Sequence, residues 1–146
     1  MNRSFFARNK VYAISPQLSD AATETSAWIP LHSGQRLIAI VRVGATDTTV
    51  DAKIQQAKDS SGTGVKDVTG AEITQLTGTD DNKHVGIDLE LAGNIDQANG
   101  FCYGRLSITA GDGTTGANIA GFVIVDERHM PAAQPADFVE QVVVAG

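Results

Sequence analysis

The chain has one cysteine, Cys102, in 146 residues. It can form no internal disulfide, and an extracellular disulfide framework is excluded. Aromatic residues make up only 5%, so a core must be built mostly from Val, Ile, Leu and Ala. No apolar run approaches the length of a membrane span, so no membrane is expected as a partner. The opening Met-Asn-Arg-Ser-Phe-Phe-Ala-Arg lacks the apolar stretch of a secretory signal. The expectation is a soluble protein made in a reducing cytoplasm. Basic residues are also few: 11 Lys and Arg stand against 17 Asp and Glu, a net charge of −6. Phosphate binding needs the opposite balance, which argues against nucleic acid as a partner.

What is present suits a folded domain. Apolar residues make up 42% and charged residues 19%, and the length fits one domain with its own core. Residues 1–10 hold Arg3, Arg8 and Lys10 and no acid, leaving 8 bases against 17 acids in the rest. Residues 1–9 therefore read as a short, extended basic arm on an acidic body, which suits docking on another protein.

The plainest periodicity is Val85-Gly86-Ile87-Asp88-Leu89-Glu90-Leu91, with apolar residues at every second position. Only a β-strand with one buried and one wet face has that period. Lys10–Ser15 is a strand candidate stopped by Pro16, and residues 17–26 read as a loop. Trp28-Ile29-Pro30-Leu31 reads as an edge strand, because Pro30 cannot donate to a ladder. After a turn at Ser33-Gly34, Arg36–Val43 is apolar on one face (Leu37, Ala39, Val41, Val43) and at the middle of the other (Ile38, Ile40), the mark of a central strand. Val50–Ala57 favours a strand, although Val50, Ile54 and Ala57 also fit a helical stripe. Ala71–Leu76 fits a strand or one helical turn.

Asn99-Gly100 is a turn signal. Phe101–Ala110 and Ile119–Asp126, the latter apolar on both faces at Phe122-Val123-Ile124-Val125, are strand candidates joined by a Gly-rich loop, which reads as a β-hairpin. Seven or eight short strands with frequent turns point to an all-β sandwich, jelly-roll or Ig-like, over residues 10–127, with a barrel as the alternative. Residues 128–137 read as an extended linker. Phe138–Val144 is β-prone and apolar, and either folds back on its own sheet or adds to a neighbouring subunit. Candidate partner contacts therefore sit in the two terminal segments: Arg3, Phe5, Phe6 and Arg8, with Phe138, Val139, Val142, Val143 and Val144.

Chemistry-bearing patterns are thin. His32, His84 and His129 lie too far apart in sequence to form a local ligand pair, and zinc needs three or four ligands. Asp80-Asp81-Asn82 and Asp112-Gly113 lack the spaced ligands of a calcium loop and read as turns. Asp88 and Glu90 share a strand face about 6.5–7 Å apart by strand rise, a spacing that paired-carboxylate hydrolases use, but acids opposite Ile87 and Leu89 simply mark a wet side. Gly62-Thr63-Gly64 and Gly111–Gly116 fit no phosphate-binding pattern. Trp28, Tyr12 and Tyr103 would have to meet to form a sugar-stacking platform. The expectation is a chain with no cofactor, no metal and no enzymatic activity.

The order of motifs resembles small proteins encoded in the head-gene cluster of tailed bacteriophages. The likeness rests on Trp28-Ile29-Pro30-Leu31, the run Val50–Asp67, Ile73-Thr74-Gln75-Leu76, Ala98-Asn99-Gly100-Phe101 through Leu106–Thr109, and Gly121–Val125, and covers roughly residues 26–128. It implies a virion component, a capsid decoration or cement protein made in the host cytoplasm and carried on the capsid surface. Its implied partners are the major capsid protein and further copies of itself, as a dimer or trimer. A head–tail connector or tail component is the alternative, and a carbohydrate-binding sandwich is a second.

Overall fold

Among the described residues the chain forms nine strands, which pair only antiparallel. The computed structural model describes residues 4–31, 35–126, 134–140 and 142. Its strands are β1 (Asn9–Ser19), β2 (Ala22–Thr25), β3 (Ile29–Pro30), β4 (Arg36–Thr46), β5 (Val50–Ala57), β6 (Lys66–Glu72), β7 (His84–Glu90), β8 (Tyr103–Ala110) and β9 (Ala117–Asp126). One sheet has the order β1-β9-β4-β7. The other runs β2-β8-β5-β6, with β3 also pairing β8. β2 meets residues 107–110 of β8 and β3 meets 103–104, so these two are halves of one interrupted strand. Nine strands thus fill eight positions.

The pairing is nested. β1 pairs β9, β2 and β3 pair β8, β4 pairs β7, and β5 pairs β6. That is one long antiparallel ribbon. Rolling it up lays β9 beside β4 and β8 beside β5. This topology is a jelly roll, which decides between the two sandwich types that alternation left open.

Four expectations change. β1 does not stop at Pro16; the register slips between Ile14 and Gln17, and the strand continues to Ser19. A bulge on an edge strand is where a proline, which has no N–H, can sit without breaking a ladder. The segment read as a loop at 17–26 accordingly holds the end of β1 and all of β2. β8 and β9 are not a hairpin, because residues 111–116 carry the chain from one sheet to the other. The N-terminal segment is not wholly extended: Phe5–Arg8 form one helical turn, capped by the Ser4 side chain on the Ala7 N–H. Of the two ambiguous stretches, Val50–Ala57 is a strand, whereas Ala71–Leu76 is mostly neither strand nor helix: only Ala71 and Glu72 close the strand Lys66–Glu72, and Leu76 makes a single bridge to Val50.

The core lies between the sheets and is aliphatic. Leu37, Val41, Val43, Val50, Ile54, Leu106, Ile108, Ile119 and Val123 are fully buried. Burying each such side chain contributes about 1.5–3 kcal/mol. Phe101 is the one aromatic residue among the buried apolar residues described. The sheets approach closely at Gly121, where a Cβ would lie 2.9 Å from Leu106 Cδ2. Gly111, at φ 91°, crosses over the backbone of Asp20 and Ala21, where a side chain would have no room.

Candidate assembly surface

Strand register sorts every side chain of the β1-β9-β4-β7 sheet to the core or to its outer face. Two rows cross the middle of that outer face. One is Gly86–Ile40–Phe122–Ala13, the other Asp88–Ile38–Ile124–Val11. Phe122 is 50% exposed, and Ile38, Ile40, Ile124, Val11 and Ala13 are half-buried. This apolar band is bounded at one end by Glu90, Arg36 and Asp126, and at the other by His84 and Arg42. Arg36 donates to Asp88 at 2.5 Å. That contact, with the nearby Glu90 and Asp126 charges, raises the pKa of the guanidinium above its usual value.

The outer face of the other sheet is polar. Asp67 accepts from Lys53 at 2.8 Å and from Gln55 at 3.0 Å, and Gln55 in turn accepts two bonds from Arg105. Arg105 stacks over Trp28 at 4.3 Å, and burial pulls its guanidinium down from the usual value. Thr23 and Thr109 share a 2.9 Å hydroxyl contact, and Asp51 accepts from Gln75. One sheet therefore presents a hydrogen-bonded polar surface and its opposite an apolar one.

The terminal segments meet each other on the free edge of β1. Phe6 packs on Phe138 with ring centroids 5.0 Å apart, and Phe5 stands edge-on to Phe6 at 5.5 Å. Gln134 fastens the pair. Its Oε1 accepts the Val11 N–H at 2.9 Å, while its Nε2 donates to the carbonyls of Asn9 at 2.6 Å and Phe6 at 2.9 Å. Bonding both Asn9 C=O and Val11 N–H is what one residue of a parallel strand would do. The amide thus stands in for a peptide group and closes part of an otherwise open sheet edge. Phe5, Ile38 and Ile124 also line a groove of about 270 Å³ with Arg36, Glu90 and Asp126. The terminal segments adjoin the apolar face.

Of the contact residues expected from sequence, Phe5, Phe6 and Phe138 are brought together. Arg8 is exposed, and Val139 and Val142 are 91% and 72% exposed. Arg3, Val143 and Val144 lie outside the described residues, as do His32, His129, the Ser33-Gly34 turn and most of the expected linker. Residues 134–140 carry no strand. Gln134 was missed. Nothing local marks it, since its role arises only once β1 proves to be an edge strand. Phe122, Ile38 and Ile40 were visible in the sequence as strands apolar on both faces, but no assembly role was attached to them.

The other candidates resolve into structural roles. Asp88 is a surface ion pair with Arg36. Asp80 accepts from Thr77 and Lys83, which lowers its pKa, the Thr77 backbone bond being the larger cause. Asp81 accepts from the Thr46 N–H. Asp112 is lowered likewise by the Thr115 and Thr114 amides. These carboxylates hold their own turns. Tyr103 lies on β8 and Trp28 just before β3 at the same sheet, while Tyr12 lies on β1 of the other sheet and packs against the core, so the three rings form no platform. Among the described residues, no three His, Cys, Asp or Glu side chains converge as a metal site would require. Cys102 Sγ lies 3.4 Å from the Lys58 carbonyl.

No protein-family model and no curated protein sequence matches the chain. Its fold is distantly similar to solved structures. One is the T13 viral particle of infectious bursal disease virus, at 17% identity and TM-score 0.44, covering 82% of this chain and 31% of that one. Another is a CBM4 structure, at 14% identity and TM-score 0.42, covering 84% and 88%. A third is the tobacco streak virus coat protein, at 14% identity and TM-score 0.41, covering 91% and 94%. Likeness this remote assigns no function.

Proposed function

We propose that the protein is a non-enzymatic structural component of a virion, a capsid decoration or cement protein of a tailed phage. It would be made in the host cytoplasm and carried on the capsid surface. The observation that carries this reading is the contrast between the two outer faces, one polar and internally bonded, one apolar and flanked by the docked terminal segments. A sandwich that stands alone in water has no use for Phe122, Ile38 and Ile40 on its outside, whereas one that assembles does. The resemblance to head-cluster proteins supports the same reading. Jelly rolls serve capsids and lectins alike, so the fold by itself is only an analogy. Many weak contacts repeated over a shell give the avidity such a protein needs.

In this reading the terminal segments grip the major capsid protein. Because Phe6, Phe138 and Gln134 form one unit, deleting residues 1–9 or residues 128–146 should reduce occupancy on particles about as much as deleting both. Occupancy is measured by quantitative mass spectrometry against the major capsid protein. Unchanged occupancy in both single deletions contradicts the proposal. About six or twelve copies per particle, the numbers of a symmetric ring, would make the chain a connector instead.

A further inference from the structure

The apolar outer face needs an occupant, and its charge pattern favours a second copy of this chain. Along β4 the face runs from an acidic end, where Asp88, Glu90 and Asp126 outnumber Arg36, through Ile38 and Ile40, to a basic end at Arg42 with His84 beside it. Arg42 is exposed and has no ion pair among the described residues. Two such faces laid together about a two-fold axis in the interface, perpendicular to β4, reverse the strand direction between copies. Each acidic end then meets the partner's basic end, and the apolar rows meet in the middle. That is an isologous contact with an apolar centre and a charged rim. We infer that the outer face of the β1-β9-β4-β7 sheet is a two-fold homodimer interface, with Phe122 at its centre and Arg42 paired across it to the acidic end.

The size of the face sets how tight the dimer can be. Four residue rows and four strands span about 20 Å by 15–20 Å. The projected area is therefore roughly 300–400 Å² per copy, below the roughly 800 Å² of a standard stable interface. The association is weak in free solution and strengthens when copies are held side by side.

The test is sedimentation equilibrium of the full-length protein from micromolar to near-millimolar concentration. The expected result is a concentration-dependent monomer–dimer equilibrium. Phe122→Asp, on an exposed side chain, abolishes it with the circular dichroism spectrum unchanged. Arg42→Glu weakens it about tenfold or more, since it sets like charges against each other, and Arg42→Glu combined with Glu90→Lys restores it. A wild-type protein that stays monomeric at the highest concentration overturns the inference. So does a dimer indifferent to both Phe122→Asp and Arg42→Glu. Binding to isolated capsids by a protein that remains monomeric would instead assign the face to the major capsid protein. The virion reading is tested by particle occupancy and this one in solution, so either can fail without the other.

Discussion

Replacing Gln134 by Ala removes one side-chain amide that serves three backbone groups on the edge of the sandwich. It leaves the Val11 N–H and the Asn9 and Phe6 carbonyls without their partner. A neutral hydrogen bond contributes about 0.5–1.5 kcal/mol net, so three would give at most about 4.5 kcal/mol. The site lies on a strand edge, however, and water replaces part of what is lost. The expected cost is about 1–2 kcal/mol, a factor of about 5–30 in the docked population. It falls on the attachment of the tail rather than on the core, because no buried apolar contact between the sheets is touched.

Amide hydrogen exchange reads this directly. Protection at Val11 should drop by that factor, while Val123 and Leu106, deep in the two sheets, keep theirs. The proximity of the Phe6 and Phe138 rings should be lost in the same variant. Gln134→Glu should do no better, because a carboxylate cannot donate to the two carbonyls. Unchanged protection at Val11 would refute the role of Gln134. A parallel fall at Val123 would show that the latch is part of the global fold, contrary to the reasoning.

Gly121→Ala places a methyl group 2.9 Å from Leu106 Cδ2 and 3.4 Å from Ile108 Cδ1. Overpacking of this kind costs about 1–3 kcal/mol, and thermal unfolding should show a Tm lower by about 3–10 °C; an unchanged Tm would mean the sheets have room to part. Acid should destabilise the protein through its turns. Asp59, Asp67, Asp80, Asp96 and Asp112 are all held below the usual carboxylate value, the first by Thr63, the next by Lys53 and Gln55, Asp96 by Lys66 and Asn99. Their contribution is fully present above the unfolded value of about 3.9 and is lost as pH falls through the lower folded values. Urea midpoints should therefore be flat from neutral pH to about 5 and decline below about 4, and a decline that starts near pH 6 would point to other groups.

The layers of the sandwich were largely legible because burial imposes a period of two. Leu37, Ala39, Val41 and Val43 pointed to one face of a central strand, and all four are buried in β4. The errors arose where tertiary position decides the outcome. Pro16 stops a central strand but not an edge strand with a bulge, and being an edge is a property of the neighbours. The turn chemistry at 111–116 shows that the chain reverses, not which sheet receives it, so β8 and β9 looked like a hairpin. Ala22–Thr25 is too short and polar to stand out, and is a strand because β8 offers it an edge. The surface was half legible. Phe5, Phe6 and Phe138 stand out in the sequence as apolar residues of the terminal segments, but nothing there signals their mutual contact or the bonds of Gln134, one ordinary amide between two prolines.

The most direct measurement of the central claim is an electron-microscopy map of purified particles carrying this chain. The map should show jelly-roll density repeated over the whole shell, with the joined terminal segments against the capsid and the polar β2-β8-β5-β6 face turned to solvent. Density confined to one vertex, or absent from the particle, would contradict it.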